Sequence, residues 1–594
     1  MNSQRSAPQP PNRAPHRATC RPAKQVRNRI LLLVLLAVVP GCGVPAPDGP
    51  GDSFGLDFSM PAGSTLNGVV VFYVDGLNGA IFQQMLDAGE LPNFRRYFVD
   101  RGLYAPRAIA NLPSVTLANL TSFSTGQMPG HHGVVGINWF DRMQLVWRNY
   151  ETIAQKNSLD GDYSSPTLFE YLGDRTTASV FFQPHRGATR WIENWTSAGP
   201  PYFFGWFQFV DRLTLMRLNM IADIARTRRE WPALTVCYLL APDFYAYARG
   251  VRSSEYRDAI RHSDRQIGRV LGDLQRAGLL DKIHVALVSD HSLGEVTRHC
   301  PMRGVLKRLG LELADERLWE ETRFETRLER YRRSSAVLYS SGDWYAAVCL
   351  RKPVRREGKV VGLEAWPVRP SAEDLAAYPA WDPPKPEGLG AILAPPSKAV
   401  QIDLIAELMK EEAIDALAWS PGPHKVRLRR RSGEVEFAGV GEKIAYRLVS
   451  GEDPLGYRGH VPAEALAGKP ADGRQWLQWT HPTNYPDLPE QLVAYFGSHR
   501  AGDLVAFATE GWDLNSVNRA GHGGLLPSDV ATPLLLAGPG VPKGRLGAVR
   551  VIDMTATILT LLGRDVPSTM DGCSLLPPKT AGEVTAPREA LGPS

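Results

Sequence analysis

The chain has 594 residues, 43% of them hydrophobic and 22% charged, an ordinary globular composition with enough apolar material for a large core. Its formal net charge of +5 rests on a leader: residues 1–41 hold seven basic side chains and no acidic one, and the other 60 Lys and Arg face 62 Asp and Glu, a balance of −2. A globally basic nucleic-acid binder is therefore not indicated.

The leader (Arg5, Arg13, Arg17, Arg21, Lys24, Arg27, Arg29) runs into ILLLVLLAVV at 30–39, about half the length that a membrane-spanning helix needs. The run suits the hydrophobic region of a signal peptide. The VPGC that follows resembles a bacterial lipoprotein processing box, with Cys42 as the lipidated first residue; an ordinary signal peptide with an incidental cysteine is the alternative. An exported protein held at a membrane by a lipid anchor, periplasmic or at the cell surface, is the expectation. Without Cys20 and Cys42, the cysteines Cys237, Cys300, Cys349 and Cys573 permit up to two disulfides, and spacing favours no pairing.

Residues 42–66 are rich in Gly, Pro and Ser and read as a tether. Then come three apolar runs that stop at aspartate: GVVVFYVDG ending at Asp75, LTVCYLLAPD at Asp243, and KIHVALVSDH at Asp290 and His291. Runs of this kind read as strands buried on both faces of a parallel-rich sheet. Between them, residues 253–278 place Ile260, Ile267, Val270, Leu271 and Leu274 near a 3.6 period, which predicts a helix. The predicted class is α/β, a central sheet with helices on both faces. Residues 335–485 change texture, and KVRLRRRSGEVEF (425–437) alternates around Ser-Gly like a hairpin whose arginines face solvent. This region is predicted to be an inserted cap. The core then has a first part at 67–334 and a second at 486–577, with strands in 503–511 and 531–540 flanking the NRAGHGG that contains His522, and a tail at 578–594.

In open α/β sheets, sites form beyond the carboxyl ends of the strands. Three strand-terminal aspartates with His291 and His522 point to a divalent metal site, and mixed Asp/His ligation suits zinc, with manganese or iron as alternatives. The uncharged stretch NLPSVTLANLTSFSTGQMPGHHG (111–133) fits beside such a site, since a charged side chain there would repel a phosphate or compete for the ion. His131 and His132 are expected to tie loops. Trp139 and Phe140 are candidates to stack on a base or cover a lipid headgroup, with core packing as the alternative.

The pattern Pro113-Ser-Val-Thr116-Leu-Ala-Asn119 resembles the nucleophile segment of the type I phosphodiesterases and nucleotide pyrophosphatases of the alkaline phosphatase superfamily. The resemblance continues in order through Asp75, Ser289-Asp290-His291 and Gly521-His522-Gly523, and through VIDMTATILTLLG (551–563) and MDGCSLLP (570–577). It implies an alkaline phosphatase-like fold and hydrolysis of phosphodiester or pyrophosphate bonds in a small phosphoester substrate. Thr116 would be the nucleophile, passing through a phosphothreonine intermediate, and Asn119 the amide that holds the phosphate. One metal would sit on Asp75, Thr116, Asp290 and His291, a second on Asp243 and His522. At one position the sequence departs from the family, because Tyr247 stands where a histidine would complete the second set. A phenol has an ordinary pKa near 10 and is a weak ligand unless the ion lowers it. His262, His284 and His299 are possible substitutes. The competing readings are a phosphomonoesterase or phosphonate hydrolase of the same fold, and a catalytically impaired lipoprotein that binds a ligand or partner. A sulfatase is disfavoured because position 116 is threonine in TLAN rather than Cys or Ser in the sulfatase pattern.

Overall fold

The computed structural model describes residues 67–576, apart from 193–194, 229–230, 316–317, 319–320, 322, 382–399 and 516. The expected signal peptide, Cys42 and tether, and the tail from 578, lie outside the described residues.

The run Val69–Val74 forms the centre of an eight-stranded sheet. It pairs in parallel with Leu234–Leu239 on one side and His284–Val288 on the other. Thr177–Val180 and Arg190–Ile192 extend the parallel set. Ala531–Ala537 runs antiparallel between His284–Val288 and Gly102–Ile109. All six residues of Val69–Val74 are buried, and they alternate: Val69, Val71 and Tyr73 enter one apolar core, Val70, Phe72 and Val74 the other. Each such side chain contributes roughly 1.5–3 kcal/mol by leaving water, which is why the run has no polar face. Helix Ser254–Arg276 packs on one of these cores through Ile260, Ile267, Val270, Leu271 and Leu274, and its N-cap Ser253 accepts from the Tyr256 N–H at 3.1 Å.

A second eight-stranded sheet is wholly antiparallel, in the order Ala336–Ser341, Tyr345–Leu350, Leu504–Ala508, Ile414–Gly422, Lys425–Arg430, Gly433–Val440, Lys443–Gly451, Ala471–Asp472. The 425–440 hairpin is present, with Arg430 opposite Gly433. Its arginines pair with carboxylates: Arg427 with Glu434 and Glu436, Arg429 with Glu434, Arg430 with Asp415. One strand departs from the expected division. Leu504–Ala508, read as part of the returning core, lies inside this second sheet between Tyr345–Leu350 and Ile414–Gly422. A run buried on both faces has the same sequence signature in either sheet. The four cysteines Cys237, Cys300, Cys349 and Cys573 are unpaired. Among the described residues no helix is long and apolar enough to cross a membrane.

Candidate functional site

Asp75, Asp290 and His291 follow directly on two adjacent parallel strands, so the sheet itself sets their separation. Asp243 stands in the first turn of helix Ala241–Arg249, which follows the third. That helix is seated by a residue from another, Asp211 of Phe207–Arg228, whose buried carboxylate accepts from the Leu240 N–H at 2.8 Å and the Ala241 N–H at 3.3 Å. Burial pushes the Asp211 carboxyl up to about 7.

The aspartates converge with oxygens left over. Asp75 accepts from the Tyr238 hydroxyl on one oxygen, and Oδ1 has no hydrogen-bond partner. Asp290 Oδ1 accepts from the Gly76 N–H (3.2 Å) and the His291 N–H (3.0 Å), while Oδ2 has none. Asp243 Oδ1 is likewise buried without a partner. His291 donates Nδ1–H to the Ser292 carbonyl (3.0 Å), and His522 donates Nδ1–H to the Ser114 carbonyl (2.7 Å). Each ring therefore turns an acceptor Nε2 inward, and the rings stack with centroids 3.5 Å apart. His291 Nε2 lies 3.4 Å from both Asp75 Oδ1 and Asp290 Oδ2.

Burial first, then the charges of Asp290 and Asp243, hold the Asp75 carboxyl well above the usual range; burial, Asp290 and Asp343 do the same to Asp243. Burial lowers His291 to about 3 and His522 well below its ordinary value, so both imidazoles are neutral. Three buried carboxylates with bare oxygens and two neutral imidazoles with inward acceptor nitrogens have no internal counter-charge, a donor set that fits a divalent cation. Two sets have ligand atoms within 4.8 Å of one another, Asp75–Asp290–His291 and Asp243–His291–His522. His291 stands in both, an overlap that the sequence does not suggest.

Thr116 opens helix Thr116–Thr125 after extended Val115, and Gly126 closes it in the left-handed conformation (φ 73°). The Thr116 hydroxyl donates to His291 Nε2 at 3.1 Å, which puts it against both sets. The expected role of Asn119 is not what its geometry serves. Its Nδ2 donates to the carbonyls of Asn111 (3.1 Å), Pro113 (3.0 Å) and Val115 (3.2 Å), and its Oδ1 accepts from the Asn111 N–H (2.8 Å). This buried amide knots the loop that leads into the helix and has no donor to spare for a phosphate. Trp139 and Phe140 are core residues: Trp139 donates to the Tyr150 hydroxyl, and Phe140 packs on Tyr331 and Trp366. His132 Nε2 lies 3.0 Å from Ser122 Oγ, and His131 Nδ1 lies 2.8 Å from Asp571 of the closing loop.

Tyr247 stands one helical turn after Asp243, so the two share a face. Its half-buried ring lies 5.7 Å from that of His522. Burial, then Asp343 and Asp243, push the phenol well above its ordinary value, so it is protonated at neutral pH unless a cation intervenes. His262, His284 and His299 belong to neither ligand set. Asp343, in the turn of the Ala336–Leu350 hairpin, is the neighbour that the sequence reading missed; no motif marks it.

The fold, a parallel-rich α/β sheet with an added subdomain, is similar to that of an ectonucleotide pyrophosphatase/phosphodiesterase. Murine ectonucleotide pyrophosphatase/phosphodiesterase 5 superposes with a TM-score of 0.50 at 13% identity, over 84% of this chain and 96% of that one. Residues 69–353 match the model of the type I phosphodiesterase / nucleotide pyrophosphatase family. An uncharacterized pyrophosphatase/phosphodiesterase of Schizosaccharomyces pombe is 25% identical over 246 residues, 40% of this chain and 48% of that protein. Ectonucleotide pyrophosphatase/phosphodiesterase 2 of Saccharomyces cerevisiae is 22% identical over 299 residues, 45% and 56% respectively. The matched region thus spans about half the length of these relatives.

Proposed function

We propose that this protein hydrolyses phosphodiester or pyrophosphate bonds, with Thr116 as nucleophile, Asp75, Asp243, Asp290, His291 and His522 as metal ligands, and zinc as the metal. The observation that carries the reading is the Thr116 hydroxyl, 3.1 Å from the one histidine that both ligand sets share. A bound divalent cation supplies Lewis acidity that lowers the pKa of a threonine hydroxyl and offsets charge on a leaving oxygen. The chain supplies the rest. Thr116 Oγ attacks phosphorus, the leaving oxygen departs, and water later cleaves the covalent phosphothreonine. The free N–H groups at the start of helix Thr116–Thr125 favour the anion. Uncharged residues 111–130 add no competing ligand.

Thr116→Ala should cost about 10⁴-fold in turnover of an aryl phosphodiester, while Thr116→Ser retains measurable activity and yields an acid-trapped covalent adduct at position 116. Turnover by Thr116→Ala at the wild-type rate rules the assignment out. The relatives' names support an extracellular setting, and VPGC supports an anchor at Cys42. Fatty-acid labelling that persists in Cys42→Ser would refute that anchor. A second reading, a protein of this fold that binds without turning over, is favoured by Tyr247 alone; catalytic turnover that depends on Thr116 would eliminate it.

A further inference from the structure

The geometry points to Asp343, carried on the hairpin Ala336–Leu350, as an outer carboxylate that supports the cation site of Asp243 and His522, where Tyr247 takes the place of a histidine. The inference rests on the metal-dependent reading above and deepens it. Gly342 and Asp343 form the turn between strands Ala336–Ser341 and Tyr345–Leu350, and both have left-handed backbones, φ 69° and 72°. The turn is clamped on His522: the His522 N–H donates to the Gly342 carbonyl (2.6 Å), and the Trp344 N–H donates to the His522 carbonyl (3.0 Å). A side chain at 342 would put its Cβ 2.5 Å from His522 Nδ1, so only glycine allows this approach.

Asp343 is not the easy residue for its place. A left-handed conformation strains a residue that carries a Cβ, and such strain collects at functional sites. The carboxylate is buried and aimed by two amides, with Asn515 Nδ2 donating to Oδ1 at 3.0 Å and Asn518 Nδ2 donating to Oδ2. Each oxygen keeps a lone pair beyond those bonds. Burial raises the Tyr247 phenol and, with Asp290, the Asp243 carboxyl, and Asp343 adds to both. An independent observation shows that something is due at this spot: Asp243, itself 6% exposed, turns Oδ1 into the cluster without any partner. Asp343 does not join the tight set of Asp243, His291 and His522. Its part is that of an outer carboxylate, acting through a water, which makes it a positioning residue.

The test is zinc binding by the whole chain, stripped with chelator and titrated against a chromophoric competitor, with far-UV circular dichroism in zinc-free buffer as the control for folding. Wild type should take two zinc ions. Asp343→Asn should keep the first at wild-type affinity and bind the second about tenfold or more weakly, the range seen when an outer-shell partner is removed. Asp343→Gly, whose backbone suits φ 72°, should do the same, and it carries the test if Asp343→Asn folds poorly. Tyr247→Phe should retain both ions, and Tyr247→His placed on Asp343→Gly should restore the second. Unchanged zinc affinity in both Asp343 variants overturns this inference alone, as does a single tight zinc in wild type and variants alike. A wild-type chain that takes up no zinc overturns the metal-dependent reading beneath it.

Discussion

The two sheets of this molecule treat buried charge in opposite ways. On the second sheet and its borders buried carboxylates meet arginines: Glu434 and Glu436 lie between Arg427, Arg429 and Arg447, and buried Asp503 holds buried Arg142. At the strand ends of the parallel sheet, Asp75, Asp243 and Asp290 crowd together with bare oxygens and neutral histidines. A paired buried carboxylate holds structure together. An unpaired cluster destabilises the fold that carries it until a cation arrives, and so it marks the place where the sequence serves something other than folding.

The largest stability effect expected from this contrast lies on the paired side. Arg142 and Asp503 are both buried, and Asp503 also accepts from the Leu350 N–H at 2.7 Å. Asp503→Ala strands a guanidinium in the interior and should cost about 3–5 kcal/mol, the penalty for breaking a buried pair from one side. Urea denaturation reads it. A loss below about 1 kcal/mol would mean that the pair is not the structural tie assigned to it.

On the unpaired side the expected effect is smaller and opposite in sign. The carboxyls of Asp75, Asp243 and Asp290 are raised in the folded state, burial being the first cause in each. An acid raised on folding contributes stability that is present below its unfolded pKa, about 3.9 for aspartate, and is lost as pH rises through the folded value. Metal-free protein should therefore lose thermal stability as pH rises from about 4 toward neutrality. Asp75→Asn should flatten that slope and raise the melting temperature of the metal-free chain at neutral pH while weakening zinc binding. A metal-free Asp75→Asn chain less stable than wild type at neutral pH would break the comparison. Glu436 runs the other way: Arg447 and Arg427 outweigh burial and lower it, so its contribution is present above the ordinary carboxylate range and lost as pH falls.

What was legible in the sequence follows the same line. Asp75, Asp243, Asp290 and His291 stood out because each ends an apolar run, and a strand end is a place that local patterning can name. Helix Ser254–Arg276 was legible from its period, and the 425–440 hairpin from its alternation. Long-range facts were not legible. Leu504–Ala508 looks the same whichever sheet receives it, and Asp343 sits in a turn whose approach to His522 spans most of the inserted region. Asn119 was misread because its side-chain direction is set by the loop at 111–115 that wraps it, not by its place in the motif.

The smallest effect separates a surface pair from the interior ones. Arg447 is mostly exposed and meets Glu436 Oε1 at 2.9 Å, but Glu436 also holds Arg427 through Oε2 at 3.1 Å. Removing Arg447 therefore leaves the buried carboxylate with a partner, and the charge taken away sits in solvent that already screens it. Arg447→Ala should cost less than about 1 kcal/mol in urea denaturation, the range of exposed ion pairs, with zinc binding and phosphodiester turnover unchanged. The loss should shrink further in high salt, because screening acts on exposed pairs and spares the buried tie of Arg142 and Asp503. If Arg447→Ala costs as much as Asp503→Ala, the sheet depends on its whole arginine network rather than on the one buried pair. The line drawn here between paired scaffold charge and unpaired site charge would then have to run through the network as a unit.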